Sequence, residues 1–279
     1  MKSVLEIIQT TTAYFTKHGI ESPRLNIEHL LAHVLGIKRM ELYLQFDRPL
    51  GDAELGPLRE LVRRRADGEP LQHLLGTVDF LGRSFLCDKR ALVPRPETEQ
   101  LCEILVARFK ERPFIGRLID IGTGSGIIAL TLAAAWPEAK VEAVDVSRDA
   151  LALTEENTRR LGLDGRVTFA ESDLLAATTG RFELIVANLP YIPRPEIERL
   201  SREVRRDPVG ALDGGEIGSE VIERLIAQAA ERLSGLLALE IGCDQGPRLR
   251  DSLQAHGYDQ IEIVGDYQGR DRFVFARRD

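Results

Sequence analysis

The chain has 279 residues, of which 43% are hydrophobic and 29% are charged, and this composition excludes disordered and collagen-like proteins. Its formal net charge is −7 at pH 7, and the acidic excess falls after residue 75, because residues 1–75 contain ten Lys/Arg and ten Asp/Glu. An acidic second part repels naked nucleic acid, so we expect no direct nucleic-acid partner.

Signals for membrane insertion and export are missing from the sequence. No apolar run approaches the length of a membrane span, and residues 1–20 lack a continuous apolar segment with a small-residue cleavage site. Cys87, Cys102 and Cys243 are scattered, which argues against a disulfide framework and against a clustered metal site. We therefore expect a cytoplasmic monomer with no membrane association and no bound metal.

The first seventy-odd residues predict a small helical domain. Ser22-Pro23 supplies an N-cap and a first-turn proline for a helix that ends near Gly36. A further helix is predicted to begin at Asp52 and to end at Gly68. We assign residues 1–73 to this domain and expect it to recognise the substrate.

A hairpin and a stiff linker follow the helical domain. The segment TVDFLGRSFLCD predicts two short strands with a turn at Leu81-Gly82. In LVPRPETEQ, Pro94 and Pro96 stiffen the chain before a helix that begins near Glu97. We assign residues 74–96 to the hairpin and linker, and residues 97–279 to a third, larger domain.

From Arg117 onward, strands alternate with helices. The strand candidates are RLIDIG, KVEAVDV, RVTFAES, FELIVAN, LLALEIG, QIEIVGD and DRFVFARR. The alternation predicts an α/β fold with a seven-stranded, mostly parallel, doubly wound sheet. Only residues 267–270 separate the last two candidates, too few for a right-handed crossover, so the last strand is predicted to be antiparallel.

A glycine-rich loop, DIGTGSG, follows the first strand of this sheet and opens a helix. Gly122, Gly124 and Gly126 allow the backbone to turn tightly and to approach a ligand at the carboxyl end of the strand. Asp145 ends the next strand, where its carboxylate can accept hydrogen bonds from ribose hydroxyls. Loop and carboxylate suit NAD(H) or S-adenosylmethionine, and the spacing G-x-G-x-G departs from the dinucleotide fingerprint.

A parallel sheet that ends in an antiparallel seventh strand resembles the sheet of the class I S-adenosylmethionine-dependent methyltransferases, which have a Rossmann-like fold. That class carries an acidic loop after its third strand. Here the loop is ESDLL, and the resemblance implies that Asp173 and Leu174 flank the adenine of the cofactor.

The tetrapeptide N-L-P-Y, residues 188–191, ends the fourth strand of the sheet. One interpretation is an ordinary strand followed by a turn, since Asn and Pro are common turn residues. Beside the glycine loop, however, the Asn188 side-chain oxygen and the Leu189 or Pro190 carbonyl can each accept one N–H of a planar amino group. Tyr191 can stack on that group.

The tetrapeptide resembles the N-P-P-Y signature of amino methyltransferases, with Leu189 where proline is usual. It is also similar to the signature of ribosomal RNA adenine dimethyltransferases, because adenine N6 and glutamine N5 present nearly the same hydrogen-bonding shape. The tetrapeptide alone leaves both substrates open. The long connection that follows, residues 192–215, predicts either a lid or a solvated insertion.

The surrounding motifs resemble the bacterial peptide chain release factor glutamine methyltransferases over nearly the full length. The motifs are RPETE, DIGTGSG, VDVS, DPVGALDGG, LALEIG and DYQGRDRFVFAR. The adenine dimethyltransferases carry their glycine loop near the N-terminus, whereas here the loop begins at residue 120.

The resemblance implies methyl transfer from S-adenosylmethionine to N5 of the glutamine in the Gly-Gly-Gln motif of class I release factors, without a metal. The implied cofactor-binding residues are Gly122, Thr123, Gly124, Ser125, Gly126, Asp145, Asp173, Leu174 and Asn188. The implied substrate-binding residues are Arg95, Glu97, Asn188, Leu189, Pro190 and Tyr191, of which Asn188, Pro190 and Tyr191 are the catalytic candidates. The alternatives are a nucleic-acid adenine N6 methyltransferase and a cofactor-binding protein that has lost turnover.

Overall fold

Two compact units make up the chain in the computed structural model, which describes residues 2–278. The first unit extends through Thr77 and also contains residues 201–206. The second contains residues 78–200 and the residues from Asp207 onward. The chain therefore leaves the first unit at Thr77 and returns to it once, in the middle of the long connection after residue 191.

The first unit is helical, as predicted. Its helices are α1 (Val4–Lys17), α2 (Pro23–Leu35), α3 (Asp52–Ala66) and α4 (Leu71–Leu75), with a 3-10 helix at Arg39–Leu44. Their apolar faces meet in one core that includes Ile8, Phe15 and Leu30. Gly36 ends α2 with a φ of +65°, as predicted. Ser22 occupies the predicted N-cap position, but it has a φ of +47° and its side chain makes no capping hydrogen bond.

Residues 201–206 are held on the first unit by buried and half-buried polar contacts. Arg65 is only 3% exposed, and it donates to the Glu203 carboxylate over 2.6 Å and to the Asn26 side-chain oxygen over 2.6 Å. Arg206 donates to the Asp67 carbonyl over 3.1 Å. The middle of the long connection is thus anchored on helices, and it is not a free lid.

A hairpin opens the second unit and is formed by β1 (Thr77–Phe80) and β2 (Arg83–Leu86). Its turn residues Leu81 and Gly82 have φ values of +45° and +73°. Two successive left-handed residues suit the twist of a two-residue hairpin. Phe80 and Phe85 are buried and meet edge to face, with ring centroids 6.1 Å apart. The predicted hairpin is confirmed, and its aromatic side chains belong to the core of the second unit.

The second unit is built on a seven-stranded sheet within the described residues. Its strands are β3 (Arg117–Ile121), β4 (Lys140–Asp145), β5 (Val167–Glu171), β6 (Phe182–Asn188), β7 (Leu233–Glu240), β8 (Asp259–Gly265) and β9 (Asp271–Arg278). They are ordered β5-β4-β3-β6-β7-β9-β8, and β9 pairs antiparallel with both of its neighbours. The predicted α/β fold with an antiparallel last strand is confirmed.

Helices cover both faces of the sheet. They are α5 (Pro96–Arg108), α6 (Ile127–Ala135), α7 (Arg148–Arg160), α8 (Glu220–Ala229) and α9 (Gly246–Ala255). Successive residues of β6 alternate between the two cores: Leu184 packs with α5 and α6, and Ile185 with α8 and α9. Burial on both faces explains why the central strands β6 and β7 contain continuous apolar runs rather than alternating ones.

The strand order brings the carboxyl ends of β4, β3, β6 and β7 side by side. Asp145 lies at the end of β4, Asn188 at the end of β6 and Glu240 at the end of β7, and Asn188 and Glu240 are register partners. Ligands of open α/β sheets bind at this edge. Among residues 2–278, no helix is both long and apolar enough to cross a lipid bilayer.

Candidate active site

A cavity of about 330 Å³ opens at the carboxyl edge of the large sheet, lined only by residues of the second unit. This volume lies within the range of small-molecule sites. Most of the residues predicted from sequence line it: Gly122, Thr123, Gly124, Ser125, Asp145, Asp173, Leu174, Asn188, Leu189 and Pro190. Segments far apart in sequence therefore meet at one site.

Four predicted residues lie outside the lining of this cavity. Gly126 is the residue from which α6 begins. The Tyr191 carbonyl accepts a hydrogen bond from Gln245 over 2.9 Å. Arg95 forms an ion pair with buried Asp207 at 2.6 Å, and Glu97 lies 3.8 Å from the Arg270 guanidinium. The structure thus places Arg95 against the end of the long connection, and a direct substrate contact for Arg95 and Glu97 stays a prediction.

The glycine loop between β3 and α6 is tied to the end of β4. The Gly124 N–H donates to Asp145 Oδ2 over 2.9 Å, and the Ser147 N–H donates to Asp145 Oδ1 over 2.9 Å. Burial raises the pKa of Asp145, and these N–H donors partly offset that rise. One carboxylate therefore both fixes the loop and faces the cavity.

Leu189, in the position where proline is usual, packs directly on the glycine loop. The residue is buried, and its Cδ2 would lie 3.0 Å from a Cβ placed on Gly122. Gly122 has a φ of +69°, so both its conformation and its neighbour favour glycine. The contact joins the tetrapeptide to the loop.

The acidic loop after β5 combines an exposed charge with a strained leucine. Asp173 is exposed and forms an ion pair with Arg224 of α8. Leu174 is buried with a φ of +51°, a left-handed conformation that costs a leucine about 1–2 kcal/mol. Ser172 stabilises it by donating to the Leu174 carbonyl over 2.8 Å and accepting from the Ala177 N–H over 3.0 Å.

A buried polar chain that sequence reasoning missed supports Asn188. The Asn188 Nδ2 donates to Thr98 Oγ1 over 2.9 Å, and Thr98 Oγ1 donates to Glu240 Oε2 over 2.8 Å. Thr98 and Glu240 are 3% and 1% exposed. Burial raises the pKa of Glu240 to about 7, although the hydrogen bond from Thr98 lowers it. Glu240 could have been recognised, because it ends an apolar strand run just as Asn188 does.

Two further buried polar residues, Asp120 and Asn157, form hydrogen bonds with the glycine loop. Asp120 accepts from Thr123 Oγ1 over 2.7 Å and from the Ala129 N–H over 3.1 Å, and burial raises its pKa to about 7. Asn157 of α7 donates to the Ser125 carbonyl over 2.9 Å and accepts from the Leu86 N–H of the hairpin over 2.6 Å. Hairpin, helix and loop are thus connected through one side chain.

Comparison with known proteins identifies the family to which this site belongs. Residues 6–76 match the family model of the PrmC N-terminal domain, and residues 95–200 match that of the methyltransferase small domain. The chain is 42% identical to the release factor glutamine methyltransferase of Deinococcus radiodurans, with 98% of each chain covered. The chain belongs to the release factor glutamine methyltransferase family. It is also 39% identical to the member from Chlorobaculum tepidum, with 97% of this chain and 95% of that relative covered.

Membership of this family makes the chain a methyltransferase, and the fold agrees. One solved structure of similar fold is a T. thermophilus 16S rRNA N2 G1207 methyltransferase in complex with AdoMet and guanosine. It superposes with a TM-score of 0.53 at 21% identity, over 73% of this chain and 50% of the other. At that identity the likeness establishes the fold alone.

Proposed function

We propose that the chain transfers a methyl group from S-adenosylmethionine to N5 of the glutamine in the Gly-Gly-Gln motif of class I peptide chain release factors. The products are N5-methylglutamine, S-adenosylhomocysteine and the proton that the amide nitrogen loses. The observation that supports this proposal is the position of the Asn188 amide, which lines the cavity beside the glycine loop. The chain around it matches the Deinococcus radiodurans relative over 98% of the length of each.

The cavity residues fit S-adenosylmethionine. Gly122 and Gly124 present backbone without side chains, and the Asp145 carboxylate suits the ribose hydroxyls. We assign Asp173 and Leu174, which line the same cavity, to the adenine. When bound, the cofactor would supply a methyl group on a sulfonium, whose carbon bonds to the attacking nitrogen as the sulfur leaves as a neutral thioether.

The protein contributes to the reaction by orienting the glutamine amide. That nitrogen is a poor nucleophile, because its lone pair is delocalised into the carbonyl, and no side-chain base can deprotonate it beforehand. The Asn188 Oδ1 and the Leu189 or Pro190 carbonyl each accept one of its N–H groups, which fixes the direction of the nitrogen. Tyr191 lies next to Pro190, outside the cavity lining, and burial raises the pKa of its phenol to about 12. We assign its neutral ring to stacking on the substrate amide.

The remaining domains are assigned to substrate recognition. We propose that residues 1–73 and the hairpin and linker at 74–96 bind the release factor, and that residues 97–279 carry out the methyl transfer. Arg95 and Glu97 belong to the entrance through which the glutamine arrives. Because release factors act during translation, we place the enzyme in the cytoplasm, acting as a monomer on a protein substrate without a metal.

Incubation of the chain with methyl-labelled S-adenosylmethionine and three separate acceptors tests the proposal. The acceptors are a class I release factor, the same factor with Gln→Ala in its Gly-Gly-Gln motif, and ribosomal RNA. We expect label only in the first. Label in RNA and not in the release factor would favour the adenine methyltransferase, and cofactor binding without label in any acceptor would favour a protein that has lost turnover.

Replacing Asp145 with alanine is expected to weaken cofactor binding by about 10- to 100-fold, since a hydrogen bond to a charged group contributes roughly 1.5–3 kcal/mol. The loss combines the ribose contacts with release of the Gly124 N–H. Isothermal titration with S-adenosylmethionine measures the effect. Asp164→Ala, in an exposed turn outside the cavity lining, is the matched control, and equal affinities of the two variants would contradict the assignment.

A further inference from the structure

Thr98 lies between two side chains from neighbouring strands. Its Oγ1 is 2.9 Å from Asn188 Nδ2 and 2.8 Å from Glu240 Oε2, and Asn188 and Glu240 pair in register at the ends of β6 and β7. Thr98 belongs to the first turn of α5 and is almost fully buried. The hydroxyl is thus a common partner of the Asn188 amide and the Glu240 carboxylate, and the Asn188 side chain also acts on Glu240 directly as a hydrogen-bond donor that lowers its pKa.

The chemistry of the hydroxyl decides which way the Asn188 amide faces. Threonine has one hydroxyl proton, and here that proton is donated to the Glu240 carboxylate. Towards Asn188, Thr98 can therefore act only as a hydrogen-bond acceptor. The amide NH₂ group can donate to it, whereas the amide oxygen, which is itself an acceptor, cannot. The Asn188 Oδ1 accepts no hydrogen bond from any residue between 2 and 278, and Asn188 lines the cavity.

We propose that Thr98 and Glu240 are positioning residues, which hold the Asn188 amide so that its oxygen, and not its NH₂ group, meets the substrate amide. The inference rests on the proposed function, since it assigns the orientation of the acceptor used there. A reversed Asn188 would set its own N–H groups against those of the glutamine. Donor would then face donor, and the nitrogen would lose its alignment.

The ionisation of Glu240 makes this arrangement sensitive to pH. A protonated Glu240 can donate to Thr98, which frees the Thr98 proton for the Asn188 oxygen and allows the amide to reverse. Burial raises the pKa of Glu240 to about 7, so the orienting carboxylate is lost as the pH falls through that value. The titratable and charged groups that face Glu240 are Glu97 and Cys102 from α5, Arg272 from β9 with its neighbour Asp266, and Tyr191.

Substitutions of Thr98 separate this role from a packing role. Thr98→Val keeps the shape and removes the hydroxyl, and we expect kcat to fall about tenfold because one hydrogen bond of roughly 1–1.5 kcal/mol is lost. Thr98→Ser restores the hydroxyl and should recover most of the rate. Thr131→Val is the matched control, because Thr131 of α6 is equally buried and its Oγ1 has no hydrogen-bond partner among the described residues.

The pH profile supplies a second, independent readout. The kcat/KM of the unmodified chain divided by that of Glu240→Gln should rise with pH through about 7, because only the unmodified chain gains an orienting carboxylate there. Taking the ratio removes the contribution of Asp120, which titrates in the same range in both proteins.

All of these measurements use intact release factor as the substrate. A loss in Thr98→Val with rescue by serine, together with a rate ratio that rises with pH, supports the positioning role. Full activity of a folded Thr98→Val, a loss that serine does not rescue, or a pH-independent ratio would overturn it, and the ratio decides alone if Thr98→Val fails to fold. No transfer by the unmodified chain would overturn the proposed function itself, so the two failures are distinguishable.

Discussion

Replacing Asn188 with alanine is expected to lower kcat by about 10²- to 10³-fold, the typical effect of removing one preorganised group that stabilises a transition state. The side chain supplies one of the two acceptors that orient the substrate nitrogen. The other acceptor is a backbone carbonyl of Leu189 or Pro190, which the substitution leaves in place. One of the two acceptors therefore remains, and the substrate still binds but is poorly aligned.

Rapid-quench kinetics at saturating cofactor, with a release factor as the substrate, measure this loss. The KM for the release factor should change far less than kcat, since most of the protein contact is made elsewhere. The unfolding transition of the variant serves as the control for folding. Turnover within about threefold of the unmodified chain would remove Asn188 from the mechanism, given the magnitude expected for such groups.

Replacing Gly126 with alanine is expected to lower the free energy of unfolding by about 2–5 kcal/mol, the sum of left-handed strain and overpacking. Gly126 has a φ of +81°, and an added Cβ would lie 2.7 Å from Thr154 Cγ2 and 3.0 Å from Leu130 Cδ1. Thr154 cannot turn away freely, because it is fully buried and its hydroxyl donates to the Gly124 carbonyl over 2.9 Å. Relief of the clash would therefore disturb the glycine loop.

Gly162→Ala is the matched control for this substitution. Gly162 has a φ of +67° but no atom within 4 Å of the added Cβ, so only the left-handed strain of about 1–2 kcal/mol remains. Urea denaturation of the full chain compares the two variants through their midpoints at constant slope. Equal losses of stability would mean that the contact between Gly126 and Thr154 does not constrain the loop.

Much of the fold followed from sequence because the central strands are buried apolar runs that end at polar or glycine residues. FELIVAN and LLALEIG are continuous because both faces of the sheet are covered. Only four residues, 267–270, separate the last two strands predicted from sequence, so those strands had to form a hairpin, which placed the antiparallel strand. Ser22 shows the limit of local patterns: a good N-cap residue adopts a left-handed conformation here, and its side chain does not cap the helix.

The parts of the site that were predictable are those contained in short local motifs. DIGTGSG, Asp145 and Asn188 each end or follow a strand, and adjacent parallel strands bring such ends together. Thr98 was not predictable as a partner of Asn188, because the two are 90 residues apart and meet only through packing of α5 on the sheet. The contact of Arg95 with Asp207, 112 residues away, was not predictable either, and its substrate contact stays a prediction.

The position of the transferred methyl group tests the central claim most directly. Tandem mass spectrometry of a class I release factor, after incubation with the chain and S-adenosylmethionine, locates the added group within the Gly-Gly-Gln peptide. We predict a single methyl on the side-chain nitrogen of the glutamine, formed about 10²- to 10³-fold more slowly when Asn188→Ala replaces the unmodified chain under the same conditions. Two results would contradict glutamine as the substrate that Asn188 orients: a methyl on another residue, or methylation of ribosomal RNA at adenine N6 while the release factor stays unmodified.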